Sequence, residues 1–154
     1  MYNTMNVPTN FKKAARSALN MLDYADCTEK KLREKLARKG HDEDAIDFAV
    51  SYAKKVGYLN EARYLENAVY AIANSKLYGK RRLVTELYTK GFKREDIANI
   101  DFSEIDFAAN CAKRILKIKN RYSDERKLYC ALLRYGFSPS DIKDAFRIIE
   151  DENE

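Results

Sequence analysis

Residues 83–97 read "LVTELYTKGFKREDI", and the same design occurs twice more, as "LREKLARKGHDEDAI" at 32–46 and "LYCALLRYGFSPSDI" at 128–142. Leucine opens each stretch (Leu32, Leu83, Leu128) and recurs four residues on (Leu36, Leu87, Leu132). Gly40, Gly91 or Gly136 follows, then His41, Phe92 or Phe137, and each stretch closes on Ile46, Ile97 or Ile142. The copies are offset by 51 and 45 residues, a period that marks repeated supersecondary units. The glycine has a mechanical reason: past a helix end it accepts the left-handed conformation that stops the helix, and the next residue packs back on the last turn. The helix beyond is then capped, by Asp42 in the first copy and by Ser138 with Pro139 at the first helical position in the third.

A further helix precedes each pair. "FKKAARSALNMLDYA" (11–25), "EARYLENAVYAIANSKL" (61–77) and "EIDFAANCAKRILKIKN" (104–120) carry apolar residues at helical spacing, and Ser103 with Asp106 has the spacing of a capping box. No stretch alternates apolar and polar residues well enough to compete as a strand. The expectation is an all-α chain of three tandem three-helix repeats, at 11–58, 59–102 and 103–154, after an N-terminal extension at 1–10. Units of this size do not close a core alone, so they should stack into an elongated, curved array. The last helix of the middle repeat, "REDIANI", is short and should alter the angle to the third repeat.

With 45% hydrophobic and 34% charged residues in 154, the chain suits a helix-rich protein with broad solvated faces. It shows neither a membrane span nor a signal peptide, which points to the cytoplasm. Cys27, Cys111 and Cys130 are too far apart for a metal pair and odd in number, so they read as reduced packing thiols. The single histidine, His41, stands where Phe92 and Phe137 stand, as a turn-packing residue. Gly79-Lys80 lacks the upstream glycine of a phosphate loop. The sequence therefore offers no catalytic residues, metal ligands or cofactor site.

Charge is unevenly placed. Residues 76–94 hold seven bases against the single acid Glu86, and 111–127 hold seven against Asp124 and Glu125, whereas 141–154 hold six acids against Lys143 and Arg147. Two bases precede each anchor leucine: Lys30-Lys31, Arg81-Arg82 and Arg126-Lys127. Together with Lys80 they sit at helix starts, where the macrodipole disfavours cations by about 0.3–1 kcal/mol. Glu29 and the pair Asp124 and Glu125 soften the conflict in the outer repeats, but nothing nearby in sequence does so in the middle one. On a stacked array the doublets would form a basic line, extended on the third repeat by Lys113, Arg114, Lys117, Lys119 and Arg121, and suited to a polyanionic partner. Most of the eleven tyrosines fall at core or rim positions such as Tyr64 and Tyr70, whereas Tyr78, Tyr88 and Tyr122 are flanked by bases and are candidate contacts.

Three stretches resemble the RecX regulatory proteins, bacterial modulators of the RecA recombinase: "TEKKLREKLARKG" (28–40), "GYLNEARY" (57–64) and "YGKRRLVTELYTKGF" (78–92). The last carries Gly79, Arg82, Leu83, Glu86 and Leu87 of the family's signature, with Lys80 where proline is common and Tyr78 where a glycine usually precedes. The resemblance covers about residues 11–150 and implies a non-enzymatic regulator of recombination, DNA repair and the SOS response. Such a protein would bind the RecA filament in its groove and suppress ATP hydrolysis and strand exchange, as a monomer contacting DNA weakly or through the filament. The residues alone leave two alternatives: a helix-turn-helix transcriptional regulator reading duplex DNA, or a protein scaffold without nucleic acid.

Overall fold

The structure is a computed structural model that describes residues 6–153. Residues 1–5 of the expected extension, and Glu154 of the acidic tail, lie outside the described residues. Its helices are α1 (Thr9–Tyr24), α2 (Glu29–Arg38), α3 (Glu43–Lys55), α4 (Glu61–Tyr70), α5 (Lys80–Lys90), α6 (Arg94–Ala98), α7 (Phe107–Ile118), α8 (Glu125–Arg134) and α9 (Pro139–Glu152). They form three tandem three-helix repeats, and among the described residues there is no strand. None of these helices is long and apolar enough to cross a membrane. Two compact units are distinguishable, one ending at Leu65 and the other beginning at Glu66.

The repeated glycine does what its spacing requires. Gly40, Gly91 and Gly136 have φ of 91°, 97° and 97°. The next amide donates back across the helix end: His41 to the Leu36 carbonyl at 3.2 Å, Phe92 to Leu87 at 3.3 Å and Phe137 to Leu132 at 3.2 Å. Each acceptor belongs to the second anchor leucine, whose side chain is fully buried. One residue type thus seals the core while its backbone fixes the turn. The same turn recurs at Gly57, where Tyr58 donates to Ala53 at 3.0 Å.

In the first unit α1 lies against α3, and the approach is close because Ala14, Ala18, Ala49 and Ala53 are all fully buried. Leu32 and Leu36 of α2 complete this core. Phe11, Phe48 and Tyr52 stack along one side, with centroids 5.4 and 6.2 Å apart. Thr28 and Asp42 cap α2 and α3 through the amides of Lys31 and Ala45. Lys54 and Arg33 both donate to the Glu29 carboxylate and, with the Lys54 bond first, hold its pKa below the ordinary carboxylate value.

The second unit departs from expectation in two helices. The helix foreseen over 61–77 is α-helical only to Tyr70 and then widens into a π-helical turn at Ala71–Ser75. The helix foreseen from 104 starts at Phe107, with Asp106 as its cap accepting from the Ala109 amide at 2.9 Å. Ser103 takes no part in that cap; its amide donates to Asp101 at 2.9 Å. A capping box needs its serine immediately outside the helix, and here three residues intervene. The middle repeat's last helix is short as expected, with five residues. The third repeat encloses its own core of Cys111, Ile115, Leu132, Phe137 and Ile142.

Gly79 is a different kind of glycine. Its φ of −73° is ordinary, yet a Cβ there would stand 2.2 Å from the backbone of Gly136 and Phe137. A Cβ on Gly136 would in turn stand 2.5 Å from the Arg82 amide nitrogen. The start of α5 therefore rests backbone-to-backbone on the turn that ends α8. Gly79→Ala is expected to destabilise the protein by about 3 kcal/mol or more through overpacking. Gly40→Ala, with no atom within 4 Å of its new Cβ, should cost only the left-handed strain of about 1–2 kcal/mol. Urea unfolding of the two variants measures the difference.

The cysteines separate by burial. Cys27 and Cys111 are buried and Cys130 is exposed. Burial pushes the Cys27 thiol up and, with Asp141 adding to it, the Cys111 thiol up to about 12. At pH 8 both are protonated and covered, so one thiol, Cys130, should react rapidly with a disulfide reagent and the other two only on unfolding. Mass spectrometry of the labelled protein reads the order.

Candidate functional site

The question posed by Lys80, Arg81 and Arg82 has a structural answer in α8. The last carbonyls of a helix lack intrahelical partners and carry the negative end of its dipole. The carbonyls ending α8 meet the start of α5: the Gly79 amide donates to Tyr135 at 2.9 Å, the Arg81 amide to Gly136 at 3.3 Å and the Arg81 guanidinium to Leu133 at 2.9 Å. Unpaired amides at one helix end thus satisfy unpaired carbonyls at another. The cations that α5's own dipole disfavours lie in the favourable field of α8. No acid near in sequence was needed, because the compensation comes from about 50 residues away.

The end of α4 is treated alike. The π-helical turn leaves carbonyls that α7 reaches: Asn110, buried, donates from Nδ2 to the Ala73 carbonyl at 3.2 Å and to Asn74 Oδ1 at 2.8 Å. Arg114 donates to the carbonyls of Lys76 and Leu77. Leu77, buried, holds a positive φ of 56°, which orients the chain into Gly79.

These contacts collect four of the expected site residues around one concavity. The Arg82 guanidinium lies 4.0 Å from the Tyr78 ring centre and 5.6 Å from that of Tyr135, and Arg114 lies 4.1 Å from Tyr135 on its own account. With Tyr122, Lys76 and Arg134 they line a cup of about 590 Å³ that contains no carboxylate. Lys76, Arg134 and Tyr135 were not singled out in the sequence. A signal existed for Tyr135: it stands directly before the turn glycine, where the other repeats carry Lys39 and Lys90.

The remaining expected residues lie elsewhere. Lys80 is exposed, its ammonium 4.8 Å from the Phe102 ring centre. Lys113, Lys117, Lys119 and Arg121 are exposed on α7 and the 3-10 turn after it. Arg126 and Lys127 are exposed at the start of α8, so the second and third doublets sit at opposite ends of that helix, roughly 13 Å apart along its axis. Tyr88 is exposed and stands apart from the cup. Lys30 is exposed in the first unit, and Lys31 pairs with Glu34 at 3.8 Å. Among the described residues no group of three or more metal-ligating side chains occurs.

Comparison with known proteins supplies the family. Residues 14–52 match the model of the first three-helix domain of RecX. The chain is 35% identical over 143 residues to a regulatory protein RecX of Vibrio cholerae, covering 89% of this chain and 93% of that protein. It is 34% identical over 122 residues to the regulatory protein RecX of Clostridioides difficile, covering 76% of this chain but only 57% of that relative. In fold it is similar to the crystal structure of RecX from Lactobacillus salivarius, with a TM-score of 0.78 at 24% identity, over 92% of this chain and 97% of the other. The repeats, the signature around Gly79 and these likenesses agree: the chain belongs to the RecX family of regulatory proteins.

Proposed function

We propose that the chain binds the RecA recombinase filament in its helical groove and modulates it, mainly by inhibiting ATP hydrolysis and strand exchange during recombination and DNA repair. It acts by occupying a surface, without catalysis of its own, and in the cytoplasm. Family membership, through the near full-length likeness to the Vibrio cholerae protein, is the observation that carries this reading. The repeats at 11–58, 59–102 and 103–154 serve as successive contact units, with exposed cations among the doublets Lys30-Lys31, Arg81-Arg82 and Arg126-Lys127 meeting an acidic wall or DNA phosphates. Exposed cations favour contact with a polyanion because long-range attraction both steers and orients the encounter.

The operator-reading alternative has less support. The middle repeat's last helix has five residues, too few to cross a groove with several base-reading side chains, and α9 carries Asp141, Asp144, Glu150, Asp151 and Glu152.

The doublets are unequal as probes. Arg81 and Arg82 hold the α5–α8 junction, so charge reversal there confuses folding with binding. Arg126 and Lys127 are exposed and make no side-chain bond among the described residues. The double variant Arg126→Glu, Lys127→Glu is expected to raise the concentration needed for half-inhibition of DNA-dependent ATP hydrolysis by RecA roughly tenfold, about 1.4 kcal/mol. Unchanged inhibition removes this doublet from the interface. Failure of the unaltered protein to co-sediment with RecA filaments overturns the reading itself.

A further inference from the structure

The cup in the second unit has features that filament contact alone does not require. Four cations, Lys76, Arg82, Arg114 and Arg134, line it. Lys76 reaches an acid, Glu86, at a loose 3.7 Å, and Arg114 spends its donors on carbonyls. Arg82 and Arg134 differ: among the described residues neither guanidinium donates a hydrogen bond or joins an ion pair. Arg82 instead rests against the Tyr78 ring, 4.0 Å from its centre, with the Tyr135 ring centre 5.6 Å away. A guanidinium held by aromatic faces keeps its N–H fork unspent, and that fork matches the oxygens of a phosphate. Tyr122 also lines the cup, half-buried, and no other ring or cation of the described residues stacks on it.

We propose that this cup is a binding site for single-stranded nucleic acid, holding a backbone phosphate between Arg82 and Arg134 and one unpaired base against Tyr122. Charge complementarity selects the polyanion, since the lining holds four cations and no carboxylate. Concavity selects the single strand. A volume of about 590 Å³ admits one or two nucleotides, and only an unpaired base can turn a face to a tyrosine inside it. A duplex would present paired bases to the rim and reach the arginines with phosphates alone. The inference deepens the regulatory reading and rests on it for the setting in which single strands are met, but the site is defined by this chain alone.

The test therefore omits the recombinase. Fluorescence anisotropy of a labelled 12-nucleotide oligothymidylate is followed across a salt series for the unaltered protein, Arg82→Gln, Arg134→Gln, Tyr122→Leu and the charge control Lys143→Gln, with circular dichroism confirming the fold of each. The arginine variants are expected to weaken binding at least about fivefold, and each to flatten the log–log salt dependence by about 0.7, the value for one single-strand phosphate contact. Tyr122→Leu should weaken binding with the slope unchanged, and Lys143→Gln should alter neither. Competition by a 12-base-pair duplex should be weaker than by the unlabelled strand, and by free thymidine monophosphate weaker still. Arg82 also supports a junction, so if Arg82→Gln unfolds, Arg134→Gln and Tyr122→Leu decide alone. Unaltered affinity and slope in those two overturn the site, as does equal loss in Lys143→Gln. A duplex or free nucleotide that competes as well as the strand overturns the assignment to single strands. Failure here leaves RecA inhibition standing, and loss of inhibition with oligonucleotide binding intact would do the reverse.

Discussion

Most of what distinguishes the second unit follows from one contact, the meeting of α8's final carbonyls with the first amides of α5. Each helix terminus leaves four backbone groups unpaired, and burying them unpaired costs about 1–3 kcal/mol apiece. Here two deficits cancel: Tyr135 and Gly136 offer carbonyls where Gly79 and Arg81 offer amides. The approach needs a backbone without Cβ on both sides, which is why two glycines face each other there. It also decides where arginine can stand. A cation at the start of α5 is unfavourable for an isolated helix and favourable beside the end of α8.

That contact links structure to the proposed recognition. Since Arg81 and Arg114 are spent on backbone carbonyls, they hold the neighbouring repeats together and position the tyrosines. Arg82, resting against Tyr78 with Tyr135 beside it, is left with donors and no acceptor among the described residues. A side chain already held against a ring loses less entropy on binding than one without contacts, so such a guanidinium is worth more to a ligand than one of the exposed lysines of α7. The basic surface expected from the doublets thus divides into two classes: arginines that brace the fold and cations free to meet a partner.

The fold was largely legible in the sequence because its determinants are local. Leucines four apart, a glycine that must turn left-handed and a capping residue are read within fifteen residues, and all three copies formed the turn that this pattern requires. The failures have a common cause. The π-helical turn after Tyr70 has its Ala73 carbonyl taken up by Asn110, and the role of Gly79 depends on Gly136, partners about 37 and 57 residues away. Ser103 misled for the opposite reason: its spacing was right, but the helix begins three residues later. Of the site, Tyr78, Arg82, Arg114 and Tyr122 were found from charge and aromatic neighbourhood, whereas Lys76, Arg134 and Tyr135 join them only when α5 and α8 are brought together.

The α5–α8 junction can be tested amide by amide. In an isolated helix the amides of Gly79 and Arg81 would have no acceptor and would exchange with solvent at close to random-coil rates. Native-state hydrogen exchange by NMR should instead find both protected, within about tenfold of the Leu83 amide, which is bonded inside the helix to the Gly79 carbonyl at 3.0 Å. Exchange of Gly79 and Arg81 at random-coil rates while Leu83 stays protected would contradict the account. It would mean that the end of α8 does not rest on the start of α5, and the positions of the arginines would again be unexplained.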